Sequence, residues 1–114
     1  IEFDINLPGY KSMMGMQGGH AGEKMPKAQA IKDATMAYFI NKNRKENSIF
    51  VHYNGTYHSD NYEGINWYLR KLDADIQIVT IAMVEQKDIT KLEAEHYNKA
   101  DFILVIDEDV TKTY

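Results

Sequence analysis

Ile76-Gln77-Ile78-Val79-Thr80-Ile81-Ala82-Met83-Val84 is a nearly continuous apolar run rich in β-branched side chains, and its reading decides the fold. Antiparallel strands with one wet face alternate apolar and polar residues, whereas parallel strands covered on both faces read as unbroken apolar runs. Phe102-Ile103-Leu104-Val105-Ile106 is a second run of this kind. Between the two, Thr90-Lys91-Leu92-Glu93 has the capping-box pattern, which predicts a short helix to about Lys99. Strand, helix and strand in that order predict a right-handed crossover between parallel neighbours.

Moving towards the amino terminus, Asp60 and Glu63 form another potential capping box ahead of Ile65, Leu69 and Leu72, predicting a helix over 61–72 that Asp73-Ala74-Asp75 ends. Ile49-Phe50-Val51 predicts a first strand, and Asn54-Gly55 is a strong turn signal after it. Pro26 suits a first helical turn, and Lys27 to Arg44 continues with good helix formers and no glycine or proline. The predicted fold is α/β with three layers: a mostly parallel sheet with flanking helices, built on a βαβαβ core. No repeat or linker divides residues 26–106. The last residues, 107–114, fit either an edge strand or an ordered tail.

Residues 1–25 differ in character. Pro8-Gly9, Gly15, Gly18, Gly19 and Gly22 are interleaved with Met13, Met14, Met16, Met25 and His20, and that glycine density predicts loop. Thioether and imidazole are plausible soft-metal ligands, but methionines in a loop more commonly cover an apolar surface. The segment therefore reads as a flexible arm or lid, 1–25, beside an α/β portion, 26–114. The start at Ile1, without initiator methionine, signal peptide or lipidation cysteine, leads to the expectation that the chain is a portion of a larger α/β domain.

Composition narrows the function. With 114 residues, 44% of them hydrophobic, the chain supports one domain that buries about two-thirds of its unfolded surface. A net charge of −4 argues against a nucleic-acid surface, and the one basic run, Lys42 to Lys45, reads as a helix end. The absence of cysteine removes disulfides and thiolate metal sites. No apolar segment reaches spanning length. There is no Gly-x-Ser-x-Gly, P-loop or Gly-x-Gly-x-x-Gly motif, so serine-nucleophile chemistry and ordinary nucleotide binding lack local support.

The residues suited to chemistry cluster between Phe50 and Gly64, a stretch holding two of four histidines and three of eight tyrosines. At the carboxyl edge of an open α/β sheet, such loops converge on ligands. His52 and His58 are six apart, lacking the helical spacing of a specific zinc site; His52 reads as a structural histidine and His58 as the ligand candidate. Tyr53, Tyr57 and Tyr62 suit packing aromatics with wet hydroxyls, although tyrosine also ligates haem iron. On helix 27–44, Gln29, Asp33, Met36 and Ile40 share a stripe, placing a carboxylate on a packing face. Buried alone it would cost several kcal/mol, so Asp33 is either tied to backbone donors or aimed at a polar site. Glu85, Asp107 and Glu108 are further carboxylates at predicted strand ends.

Gln29-Ala30-Ile31-Lys32-Asp33-Ala34-Thr35-Met36-Ala37, followed by Tyr53-Asn54-Gly55-Thr56-Tyr57-His58 and Gly64-Ile65, resembles the ChaN-like family of iron-regulated, haem-binding lipoproteins. Their superfamily also includes Tiki-type proteases and erythromycin esterases. The family's Gln-x-x-x-Asp-x-x-Met-Ala helix maps onto Gln29, Asp33 and Met36, and its Gly-Asn-Gly-His loop and helix start onto His58, Gly64 and Ile65. The likeness spans roughly residues 26–106. The chain departs from it in lacking the early Gly-Glu-x-His strand motif, in the inserted Thr56-Tyr57, and in the serine after His58.

The resemblance implies haem or iron acquisition at the outer membrane or periplasmic side of a Gram-negative bacterium, with membrane contact only through a lipid anchor upstream of Ile1. The expected module binds haem without catalysing a reaction. His58 serves as iron ligand, Tyr57 or Tyr62 supports it, His52 lies nearby, and Gln29 and Asp33 orient it, while the Met-rich arm shields the porphyrin. The alternative is a metal-dependent hydrolase in which His58, His52 and an acidic residue hold a divalent metal ion and its water. An exposed sheet edge also makes a homodimer an expectation.

Overall fold

A computed structural model describes residues 1–16 and 22–113. Gly18, Gly19 and His20 of the glycine- and methionine-rich segment lie outside the described residues. The chain forms two compact units, residues 1–78 and 79–114, with the boundary inside the 26–106 stretch where the sequence pattern offered no division.

The first unit is helical. Helix α1 spans Pro8–Met13, α2 spans Lys24–Asn43 and α3 spans Ile65–Leu72. Helix α2 begins two residues before Pro26 and runs on to Asn43, as its glycine-free interior predicts. Its packed face is Pro26, Ala30, Asp33, Ala37 and Ile40, whereas Ile31 and Tyr38 are more than half exposed. Small side chains at Ala30 and Ala37 let the neighbouring helices approach α2 closely, and the core closes with Tyr10, Met13, Ile65, Tyr68 and Leu69.

Helix α1 stands where glycine density predicts loop. Pro8, with its fixed φ and missing amide donor, occupies the first turn, and Tyr10 and Met13 are buried. Phe3, Ile5 and Leu7 pack against the same core, and Phe3 lies 5.6 Å from the Tyr10 ring. At α3, the Tyr68 hydroxyl donates to the Glu2 carbonyl at 2.7 Å, and Lys71 sits 4.3 Å above the Trp67 ring.

The second unit holds strands β1, Ile81–Gln86, and β2, Phe102–Asp107, paired in parallel with Ile81 opposite Phe102 and Gln86 opposite Asp107. The parallel crossover matches the sequence reading. The β1 run starts five residues later than its apolar pattern, and Ala82, Val84 and Gln86 are buried while Ile81 and Met83 are exposed.

Two predicted elements are not formed. Ile49, Phe50 and Val51 belong to no strand and are exposed, so the described residues hold a two-stranded parallel sheet rather than a three-layer βαβαβ core. The helix predicted from Thr90 shrinks to a 3-10 turn at Ala94–His96. The capping-box partners are otherwise engaged: the Asp88 carboxylate accepts from the Thr90 amide and hydroxyl, and the Glu93 amide donates to Gln86 Oε1 at 2.9 Å. Gln86 Nε2 donates to the carbonyls of Asp88 and Lys91, so one buried side chain pins the loop that follows its strand.

Candidate functional site

The polar centre of the helical unit is Asp33. It lies on the packed face of α2, fully buried, and its hydrogen-bond partners are side chains, those of Tyr10 and His58. The Tyr10 hydroxyl donates to Oδ2 at 2.6 Å, and His58 Nδ1 lies 2.5 Å from Oδ1. Both carboxylate oxygens are thus engaged, from opposite elements, which is what a buried carboxylate requires. Burial pushes the Asp33 pKa up, against the lowering influence of the Tyr10 and His58 hydrogen bonds and the Lys32 charge. The Tyr10 hydroxyl is raised well above its usual range by burial and by Asp33, so it stays protonated and donates.

His58 ends a 3-10 turn, Thr56–His58, whose amide donates to the Gly55 carbonyl at 3.0 Å. Its side chain keeps 20% exposure. Gln29, one helical turn before Asp33, brings Nε2 to 2.8 Å from His58 Nδ1 and 3.4 Å from Nε2. With Nδ1 committed to the carboxylate, Nε2 keeps only the longer Gln29 contact, at 3.4 Å, among the described residues.

The loop returns to α3 through a tight passage. Asn61 and Tyr62 have φ of 57° and 62°, and Gly64 has φ 56° and ψ −120°. A Cβ on Gly64 would lie 2.4 Å from the His58 carbonyl oxygen and 3.2 Å from Asp33 Oδ2. Glycine is therefore required both by conformation and by the contact between the loop and the carboxylate. Glu63 does not complete the predicted capping box: its Oε2 accepts from the Gly9 amide at 2.7 Å. Asn66, buried, donates instead to the carbonyls of Ser59 and Glu63.

The structure brings together Gln29 and Asp33 of α2 and His58 of the loop, three of the residues that carry the family resemblance. Tyr57 and Tyr62 flank His58 in sequence, both exposed, at 59% and 38%. His52 is exposed and makes no hydrogen bond among the described residues. Tyr10 escaped the sequence reading; Pro8 at a helix start and the spacing of Leu7, Tyr10 and Met13 were the available signals.

Glu85, Asp107 and Glu108 belong to the second unit, where Glu85 is paired with Lys112 at 2.9 Å. Among the described residues, the one group of three histidine or carboxylate donors within 4.8 Å of one another is Glu93, Glu95 and His96, also in the second unit. His58 is not part of such a group.

A loop imidazole backed by a fully buried carboxylate defines a class: a helix-scaffolded histidine–carboxylate pair. The chain belongs to the family described as haem-binding uptake, Tiki superfamily, ChaN, whose profile matches residues 6–69, more than half of its length. The match takes in α1 with Tyr10 as well as Gln29, Asp33, His58 and Gly64. No curated protein and no solved structure matches the chain.

Proposed function

We propose that this chain binds haem, with His58 as iron ligand through Nε2. One observation carries the reading: His58 Nδ1 lies 2.5 Å from a carboxylate that is itself fully buried and held from its other side by Tyr10. Metal-ligating histidines characteristically give their second N–H to a carboxylate or carbonyl, which fixes the ring and makes the free nitrogen a better donor. The donor set fits ferric or ferrous haem, for which a single protein imidazole is a sufficient axial ligand. The exposed rings of Tyr57 and Tyr62 offer apolar surface for a porphyrin on either side of His58 in the chain. Bound haem would supply the iron chemistry; the protein's part is to hold the ring, restrict its rotation and supply one neutral donor.

The hydrolase alternative needs a divalent ion with several protein ligands. Asp33 is spent on Tyr10 and His58, and His58 belongs to no group of three donors among the described residues. Haem binding is therefore the better account. Family membership supports a place in haem uptake. A lipid-anchored location on the outer-membrane or periplasmic side of a Gram-negative cell is part of the proposal and rests on the sequence resemblance alone. Among the described residues no helix is long and apolar enough to cross a membrane.

The test is a ferric-haem absorbance titration of the chain beside His58→Ala, with metal content assayed on the same samples. A saturable Soret shift that the variant loses is expected. Identical titrations would remove His58 as ligand, and stoichiometric zinc or manganese would turn the assignment to the hydrolase.

A further inference from the structure

Haem ligation by His58 leaves helix α1 without a role, yet two consecutive residues of α1 grip the site. The Tyr10 hydroxyl holds Asp33 Oδ2 at 2.6 Å, and the Gly9 amide holds Glu63 Oε2 at 2.7 Å. Glu63 precedes Gly64, the residue that lets the loop pass against both the His58 carbonyl and Asp33 Oδ2. Tyr10 is 2% exposed. A buried phenylalanine would fill the same space without a polar atom to satisfy, so the hydroxyl is the informative part of this side chain.

We propose that α1 is a brace for the ligand-bearing histidine and that Tyr10 is its positioning residue, acting through Asp33. A carboxylate held at one oxygen pivots about its Cβ–Cγ bond. Held at both oxygens by groups on different elements, it has one orientation, and that orientation fixes the His58 ring through Nδ1. The Gly9–Glu63 hydrogen bond ties the loop carrying His58 to the same short helix. Loss of the Tyr10 hydroxyl frees Oδ2, lets the carboxylate turn and releases the ring. The inference rests on the reading of His58 as the ligand residue, but its structural half concerns the free protein.

The experiment reads both halves. Tyr10→Phe is compared with the unmodified chain by NMR of the His58 ring without haem, and by ferric-haem titration. The unmodified chain is expected to show a slowly exchanging, low-field Nδ1 proton, which Tyr10→Phe broadens or shifts upfield. Where haem binds, the variant should lose up to about 10-fold in affinity, less than the roughly 10- to 100-fold loss typical of removing a direct partner of a metal ligand, because Tyr10 acts one residue further back. Met13→Leu, in the same core, serves as packing control and should leave both readouts unchanged.

An unaltered His58 proton in Tyr10→Phe overturns the proposal. So does an equal shift in the Met13 control, which would reduce Tyr10 to packing. Should Tyr10→Phe not fold, Glu63→Ala releases the loop from α1 and should broaden the same proton; an unchanged signal there overturns the brace. If the unmodified chain fails to bind haem, the NMR comparison still decides the role of Tyr10, so the two failures are told apart.

Discussion

At the scale of single residues, Gly64 and Asp33 set the limits of the site. Gly64 combines a positive φ with ψ of −120°, a conformation that side chains other than hydrogen strongly disfavour, at a point where a Cβ would sit 2.4 Å from a backbone oxygen. Backbone cannot swing aside as a flexible side chain can, so the penalty for Gly64→Ala adds a steric part to the 1–3 kcal/mol typical of a strained dihedral. We expect a loss of about 3 kcal/mol or more in urea unfolding. A loss below about 1 kcal/mol would mean that the loop passes Asp33 differently. By contrast, Gly9 faces the far end of a glutamate side chain. Alanine there displaces a movable group and should cost less.

At the scale of elements, the loop after β1 shows how local signals are reassigned by tertiary partners. Thr90 and Glu93 spell a capping box, but Asp88 caps Thr90 first and the Gln86 carboxamide takes the Glu93 amide. The Asp88 carboxyl is consequently held below the usual carboxylate range by the Thr90 hydroxyl and amide. A depressed carboxylate stabilises the fold above its unfolded pKa and loses that contribution as pH falls through its folded value, so the window lies below the ordinary aspartate value of 3.8. Thr90→Val removes the hydroxyl. The Asp88 Cγ resonance should then titrate at higher pH in the variant, and an unchanged titration would show that the hydroxyl is not the cause.

The same contrast explains what was legible. Helix α2 and the stripe of Gln29 and Asp33 follow from spacing along one element, and the parallel β1–β2 pair follows from two apolar runs and the crossover rule. Strand pairing of Ile49 to Val51 depends on distant partners that spacing does not specify. Helix α1 was hidden because it holds Gly9 and is followed by Gly15, and because tertiary packing of Tyr10 and Met13 stabilises this six-residue helix more than propensity does.

At the scale of the whole molecule, the chain divides its stability unevenly. In residues 1–78, three helices enclose a buried cluster, and the interior of α2 carries Ala30, Asp33 and Ala37, each with at most 1% exposure. In residues 79–114, two strands support each other, with Ala82 and Val84 covered but Ile81, Met83, Phe102 and Leu104 each more than half exposed. Two-stranded sheets have little independent stability, and units this small bury a modest share of their surface. Local opening follows such differences, since amides exchange through the cheapest fluctuation that breaks their hydrogen bonds. Amide hydrogen exchange should therefore be slower around Ala37 and Ile40 of α2 than along the β1–β2 ladder, by about tenfold or more. Equal protection in both units would show that the strands open only with the helical core. That result would require the apolar face of Ile81, Met83, Phe102 and Leu104 to be covered in solution, because exposed apolar side chains contribute almost nothing to holding a strand pair closed.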